Sequence, residues 1–126
     1  MQLVSVDVER WPVAGAFTIS RGAKTHVDVV VCTLTDGRHV GRGEGSAIYY
    51  HGETAEGCAN AIRDYVASGI ALDRHSLLSN MPRGAARNAL DCALWDLESR
   101  QAGQPVWALA GLAKPEPIAT AYTISL

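Results

Sequence analysis

The chain has 126 residues, 48% hydrophobic and 19% charged, a composition that suits one soluble globular domain with a modest core and leaves no room for two. Eleven Lys and Arg against thirteen Asp and Glu, spread without runs, give no electrostatic ground for nucleic acid or an anionic membrane as partner. No window approaches the roughly 18 apolar residues of a membrane span, and MQLVSVDVER lacks a basic region followed by a long apolar stretch, so a cytoplasmic location is the expectation.

The first half reads as strands. Leu3, Val4, Val6 and Val8 begin with alternation, and Val27 to Leu34 (VDVVVCTL) is a second, nearly continuous β-branched run. Between them Gly15 to Thr25 (GAFTISRGAKT) reads as a long connection with too much apolar material for a simple turn, the composition of a lid. Asp36-Gly37 is a hairpin signal joining the second run to a third, Val40 to Ser46, which gives a three-stranded antiparallel meander. Gly41, Gly43 and Gly45 leave one face of that third strand thin, a pattern for close packing against another element rather than for a phosphate loop.

The second half reads as helices. Glu53 to Ala67 carries Ala55, Cys58, Ala59, Ile62 and Val66 at helical spacing, and Ser68-Gly69 ends it. A short helix through Leu77 and Leu78 follows. Pro82 then precedes the longest helix, with Ala86, Ala89, Leu90, Ala93, Leu94 and Leu97 on its apolar face and Arg87, Asp91 and Glu98 opposite. Gly103 and Pro105 stop it, because glycine supplies a left-handed position after the last turn and proline cannot continue the helix. Val106 to Ala110 is a last helical turn, and Ile118 to Leu126 (IATAYTISL) reads as a strand with no turn signal after it.

Chemistry-bearing residues are sparse. Cys32, Cys58 and Cys92 are odd in number and set in apolar stretches, so they read as buried free thiols of a reducing compartment. His26, His39, His51 and His75 are too scattered to share a metal. Asp91 and Asp96, five apart, cannot point the same way on a helix and read as surface charge or capping partners. Two segments remain: Gly15 to Thr25, with Phe17, Ile19 and Arg21, and Ala47 to Glu53 (AIYYHGE), whose Tyr49, Tyr50 and His51 could close over a ligand. Packing of both sets on the domain itself is the alternative.

Taken together, these elements and the run ARNALDCALWDLESRQAGQPVWALAGL resemble the N-terminal capping domain of the enolase superfamily, in its muconate-lactonizing branch, over nearly the whole chain. Within that branch WPVAGAFTISRGAKTHVDVVVCTL, GRGEGSAIYYHGET and RGAARNALDCALWDLESR are most similar to dipeptide epimerases of the L-Ala-D/L-Glu type. The resemblance implies an α+β fold, a three-stranded antiparallel meander followed by a helical bundle, with residues 1–112 as the cap and 113–126 as a linker and first strand of a (β/α) barrel.

It further implies a parent isomerase that removes the proton α to a carboxylate or peptide carbonyl with Mg²⁺ stabilising the enolate, while a second base returns the proton. In such epimerases both bases are lysines on barrel strands, one in a Lys-x-Lys motif. This chain has only Lys24 and Lys114 and no Lys-x-Lys, and the family's metal carboxylates also come from the barrel, so the chain alone is expected to be inactive and to hold no Mg²⁺ ligand.

By the same resemblance the two segments are the mobile substrate loops. Phe17, Ile19 and Arg21 then face a dipeptide substrate, with Arg21 pairing with its side-chain carboxylate. Tyr50 belongs to the second loop, where Tyr50-His51 stands in place of the basic-aromatic pair often found there, which leaves the acidic second residue of the dipeptide open. Thr123, at the end of the presumed first barrel strand, is a further substrate contact or a barrel-interior residue. The partners implied are the dipeptide, the barrel and, as is common in the superfamily, further copies of the chain. Two alternatives stand beside this reading: a free-standing interaction module that keeps the cap fold without catalysis, and the cap of another racemase or cycloisomerase of the superfamily. An unpaired strand at 118–126 weighs against the module, because it would expose an aggregation-prone edge.

Overall fold

A computed structural model describes residues 1–19 and 22–122. The chain opens with β1 (Gln2–Ile19), β2 (Gly22–Thr35) and β3 (Val40–Gly45), in the antiparallel order β1-β2-β3. The turn between β2 and β3 is built by Asp36, whose Oδ1 accepts from the N–H groups of Arg38 at 2.8 Å and His39 at 2.6 Å, while Gly37 takes a φ of 95°. The segment expected to be a lid loop is instead the far end of the β1–β2 hairpin. Phe17, Thr18 and Ile19 pair with Lys24, Ala23 and Gly22 beyond a register shift between Pro12 and Phe17. Pro12 and Gly15 read locally as strand breakers, but a bulge absorbs them and pairing resumes.

The helices are α1 (Ala55–Ala67), α2 (Arg74–Asn80), α3 (Ala85–Ala102) and α4 (Val106–Leu109). α3 lies against β3 and β2, α1 against β1, β2 and α3, and α2 against α3. The core between the layers holds Val30, Cys32, Leu34, Ile62, Leu90, Leu94 and Leu97, all with no exposed surface. The thin face of β3 meets the backbone of α3. A Cβ on Gly41 would strike the Ala93 carbonyl and Leu97, one on Gly43 the Ala89 carbonyl, and one on Gly45 the Ala85 carbonyl. Each glycine therefore presents Cα–H to a helix carbonyl at a distance that side chains would forbid.

Helix side chains reach both edges of the sheet. Asp96 Oδ2 accepts from the Arg42 N–H at 2.9 Å and Asn88 Nδ2 donates to the Glu44 carbonyl at 3.2 Å along β3, while Arg63 donates to the Val6 carbonyl of β1 at 2.7 Å. Asp96 is thus an edge cap. Arg87, Asp91 and Glu98, expected on a solvated face, lie against the α2 side instead. Arg74 of α2 stacks 3.5 Å over the Trp95 ring and pairs with Glu98 at 2.9 Å, and Asp91 Oδ1 is buried without a hydrogen-bond partner. Burial raises the Asp91 pKa, against the pull of Arg74 and Arg87.

Helix boundaries follow capping chemistry. α1 begins at Ala55, not at Glu53, because Thr54 Oγ1 accepts from the Gly57 N–H at 3.0 Å. Asp73 caps α2 through the Ser76 N–H at 2.8 Å, and Gly103, at φ 62°, ends α3. Cys32 and Cys58 are buried, and burial pushes the Cys32 thiol up to about 12. Cys92 is exposed, contrary to expectation, because it sits on the flank of α3 between Asn88 and Asp96. Beyond α4 the described residues form no helix or strand. Ile118 and Tyr122 are 86% and 88% exposed, so the expected strand is not formed over 118–122, where no neighbouring strand offers hydrogen-bond partners. No helix among the described residues is long and apolar enough to cross a membrane.

The glycine seam gives a sharp expectation. Gly43→Ala forces the strand off the Ala89 carbonyl and lowers unfolding free energy by about 2–3 kcal/mol or more in a urea titration, since neither backbone can yield cheaply. A change below about 0.5 kcal/mol, the size of an ordinary surface substitution, refutes the seam.

Candidate functional site

The end of the β1–β2 hairpin and the segment after β3 converge on one rim. Phe17 and Lys24 are directly paired across the hairpin, so their side chains project from the same face. Lys24 Nζ lies 5.8 Å from the centroid of the Tyr49 ring, a cation–π contact that joins the hairpin to the second loop. Tyr49 meets Tyr50 edge-on with centroids 5.3 Å apart, and Tyr50 lies 4.8 Å from the His51 ring. The aromatic cluster faces outward: Tyr50 is 66% exposed. Packing of these rings into the domain core is thereby excluded.

Two open clefts of about 570 and 540 Å³ flank this cluster and share Ser46 and Glu53. The first is lined by Ile48, His51, Arg83 and Asn88, the second by Lys24, His26, Asp28 and Tyr49. Cations, aromatic faces and amide donors together suit a small ligand with an anionic group and an apolar portion.

The loop owes its shape to a short 3₁₀ turn, Tyr49–His51, and to Glu53. The His51 N–H donates to the Ile48 carbonyl at 2.9 Å, and Gly52, at φ 77°, donates to the Tyr49 carbonyl at 3.0 Å. Glu53 Oε2 accepts from the Ile48 N–H and Oε1 from the Ala85 N–H, both at 2.8 Å. α3 has Gly84 at its N-cap and no acidic residue in its first turn, so the Glu53 carboxylate supplies from a distance the cap and the negative charge that a helix N-terminus favours. The Ile48 and then the Ala85 amide hold the Glu53 carboxyl below its ordinary pKa.

Of the residues singled out in the sequence, Phe17 and Tyr50 stand on this rim, and Ile19 is the last residue of β1, paired with Gly22. Arg21 and Thr123 lie outside the described residues. Lys24 and Glu53 were not foreseen as part of the site. Lys24 is one of only two lysines, but its partner is 25 positions away; Glu53 reads as a helix residue unless Thr54 is taken as the N-cap. Among the described residues no group of three or more His, Cys, Asp or Glu could hold a metal ion, so these side chains do not fit a Mg²⁺ site.

Residues 1–111 match the family described as mandelate racemase / muconate lactonizing enzyme, N-terminal domain. The chain is 38% identical over 125 residues to the L-Ala-D/L-Glu epimerase of Escherichia coli (strain K12), covering 98% of this chain and 39% of that protein. A crystal structure of an enolase family member from Agrobacterium tumefaciens with homology to dipeptide epimerases, with bound sodium and L-Ala-L-Glu and an ordered loop, superposes with a TM-score of 0.83 at 45% identity, over 98% of this chain and 38% of that one. The dipeptide epimerase of Cytophaga hutchinsonii, complexed with Mg and D-Ala-L-Val, gives a TM-score of 0.76 at 26% identity over 96% of this chain and 36% of its own. The chain therefore spans under two-fifths of the length of these relatives.

The Glu53 clamp predicts a pH dependence. A carboxyl whose folded pKa is depressed stabilises fully above its unfolded value, about 4.3 for Glu, and the contribution is lost as pH falls through the lower folded value. In an NMR titration the Ile48 and Ala85 amide resonances should shift together with one midpoint below about 4.3. Independent midpoints, or none, exclude a shared carboxylate.

Proposed function

The chain belongs to the mandelate racemase / muconate lactonizing enzyme family, as its N-terminal domain in the enolase superfamily, and from that membership we propose that it is the substrate-selecting cap of a dipeptide epimerase. The observation that carries the proposal is the rim itself, where Lys24, Tyr49, Tyr50 and His51 meet beside two open clefts. It is supported by the likeness to proteins named as dipeptide epimerases and to one holding L-Ala-L-Glu. In this reading residues 1–112 form the cap and 113–126 lead into a barrel domain.

The chain's own residues bind and exclude water. Lys24, and Arg21 three positions before it in the sequence, offer cations to a dipeptide carboxylate. Phe17 and the tyrosines cover the apolar part and remove water from the reacting centre, which strengthens each charge interaction there. In this reading the proton-transfer groups and any Mg²⁺ ligands come from the barrel domain. No proton-transfer step is assigned to a described residue.

The test uses the full-length protein carrying this chain. Incubated with L-Ala-L-Glu in D₂O, it should replace the α-proton of the second residue with deuterium and epimerise that centre, as followed by ¹H NMR; no exchange with any dipeptide in a panel of acidic and neutral second residues rejects the activity. Lys24→Met and Arg21→Met should each lower kcat/KM for L-Ala-L-Glu relative to L-Ala-L-Leu by roughly 10- to 100-fold, the worth of a charged hydrogen bond. An unchanged ratio in both variants refutes selection of an acidic side chain by this rim.

A further inference from the structure

We infer that Glu53 is a positioning residue: without touching the reacting atoms, its carboxylate holds the loop Ser46 to Gly52, and with it Tyr49, Tyr50 and His51, in a single conformation at the clefts. This rests on reading the rim as a substrate site, and it adds the part that makes the rim rigid.

Beyond Ala47, which packs against the core, the loop has little else to hold it. Its 3₁₀ turn contains no buried residue, and the hydrogen bonds of His51 and Gly52 run only within the loop. Glu53 supplies an anchor outside the loop. One oxygen reaches back to the Ile48 N–H and the other crosses to the Ala85 N–H at the start of α3, each at 2.8 Å. A carboxylate acting only as a helix cap would need the second bond alone; the first closes the loop onto the helix. Gly84 makes the space for it, since a Cβ there would overlap Glu53 Oε1, and its φ of 150° suits glycine. From the anchored loop the Tyr49 ring extends the constraint to Lys24 on the hairpin.

Glutamine keeps the length and one acceptor but turns an NH₂ toward an amide donor, so Glu53→Gln keeps at most one of the two bonds. The control is Asp73→Ala, which removes the cap of α2, outside both clefts. Both variants are made in the full-length protein and compared with wild type by hydrogen–deuterium exchange over residues 46–52 and by steady-state kinetics on the dipeptide that wild type turns over best. Glu53→Gln should speed exchange in 46–52 and raise KM, each by roughly tenfold, with kcat within about twofold, as expected when one hydrogen bond to a charged group is lost and the reacting groups are untouched. Asp73→Ala should lower the melting temperature and leave both quantities unchanged.

Unchanged exchange in Glu53→Gln overturns the anchor. Faster exchange with unchanged KM, or a loss confined to kcat, overturns the positioning role. A KM rise of equal size in Asp73→Ala reduces the effect to general stability and also overturns it. A wild type inert toward every dipeptide removes the epimerase reading, while the exchange measurement still decides whether the carboxylate holds the loop.

Discussion

The contact between the glycine face of β3 and the backbone of α3 governs the rest of the structure. Two residues along a strand advance about 6.7 Å and four along a helix about 6.0 Å, so alternate glycines and every fourth helix residue stay nearly in step over three repeats. Gly41, Gly43 and Gly45 meet Ala93, Ala89 and Ala85 in that order, which makes α3 antiparallel to β3 and aligned along it. From that alignment the flanks of α3 reach the edge of the sheet, and Asn88 and Asp96 cover its free backbone groups. It also brings the start of α3 beside the end of β3. The segment leaving β3 is therefore born next to a helix N-terminus, where the Glu53 carboxylate finds both a positive dipole end and an unpaired N–H. The place of the rim is a consequence of the seam.

Carboxylates in this fold divide by what they face. Asp36, Glu53 and Asp73 accept from backbone N–H groups, and each has its pKa lowered by those bonds. Asp91, half-buried with its Oδ1 enclosed and unpaired among the described residues, has its pKa raised despite two nearby arginines. The first three lend stability above the ordinary carboxylate range and lose it as pH falls through their depressed values, while Asp91 costs stability once ionised and returns it on protonation. Acid sensitivity is therefore concentrated at the turn, the loop anchor and the α2 cap.

Local signals in the sequence carried the parts of the fold that are themselves local. Asp36-Gly37 marked its hairpin, Gly103-Pro105 ended α3, and the alternating glycines announced a close approach without naming α3 as the neighbour. Errors arose where a distant residue decides. Gly15 read as the start of a loop because the pairing that resumes at Phe17 depends on β2. Arg87 and Glu98 read as solvated because the stack of Arg74 on Trp95 comes from another helix. The same division runs through the site: its two segments were legible as apolar, aromatic and cationic clusters, whereas the Lys24–Tyr49 contact and the Glu53–Ala85 bond span 25 and 32 positions and leave no trace in either neighbourhood.

The two sides of the rim differ in stiffness for a physical reason. The second loop is tied by a carboxylate through two short charge-assisted hydrogen bonds, so its aromatic rings are presented with little conformational freedom left to lose on binding. The hairpin end beyond the bulge has exposed side chains from Ala14 to Thr18 and from Gly22 to Val27, and among the described residues it is linked to the loop by a cation–π contact at 5.8 Å. Substitutions there disturb neither the core nor the glycine seam. A rim built this way can hold a constant aromatic wall on one side while the charge and size of the opposite side change freely.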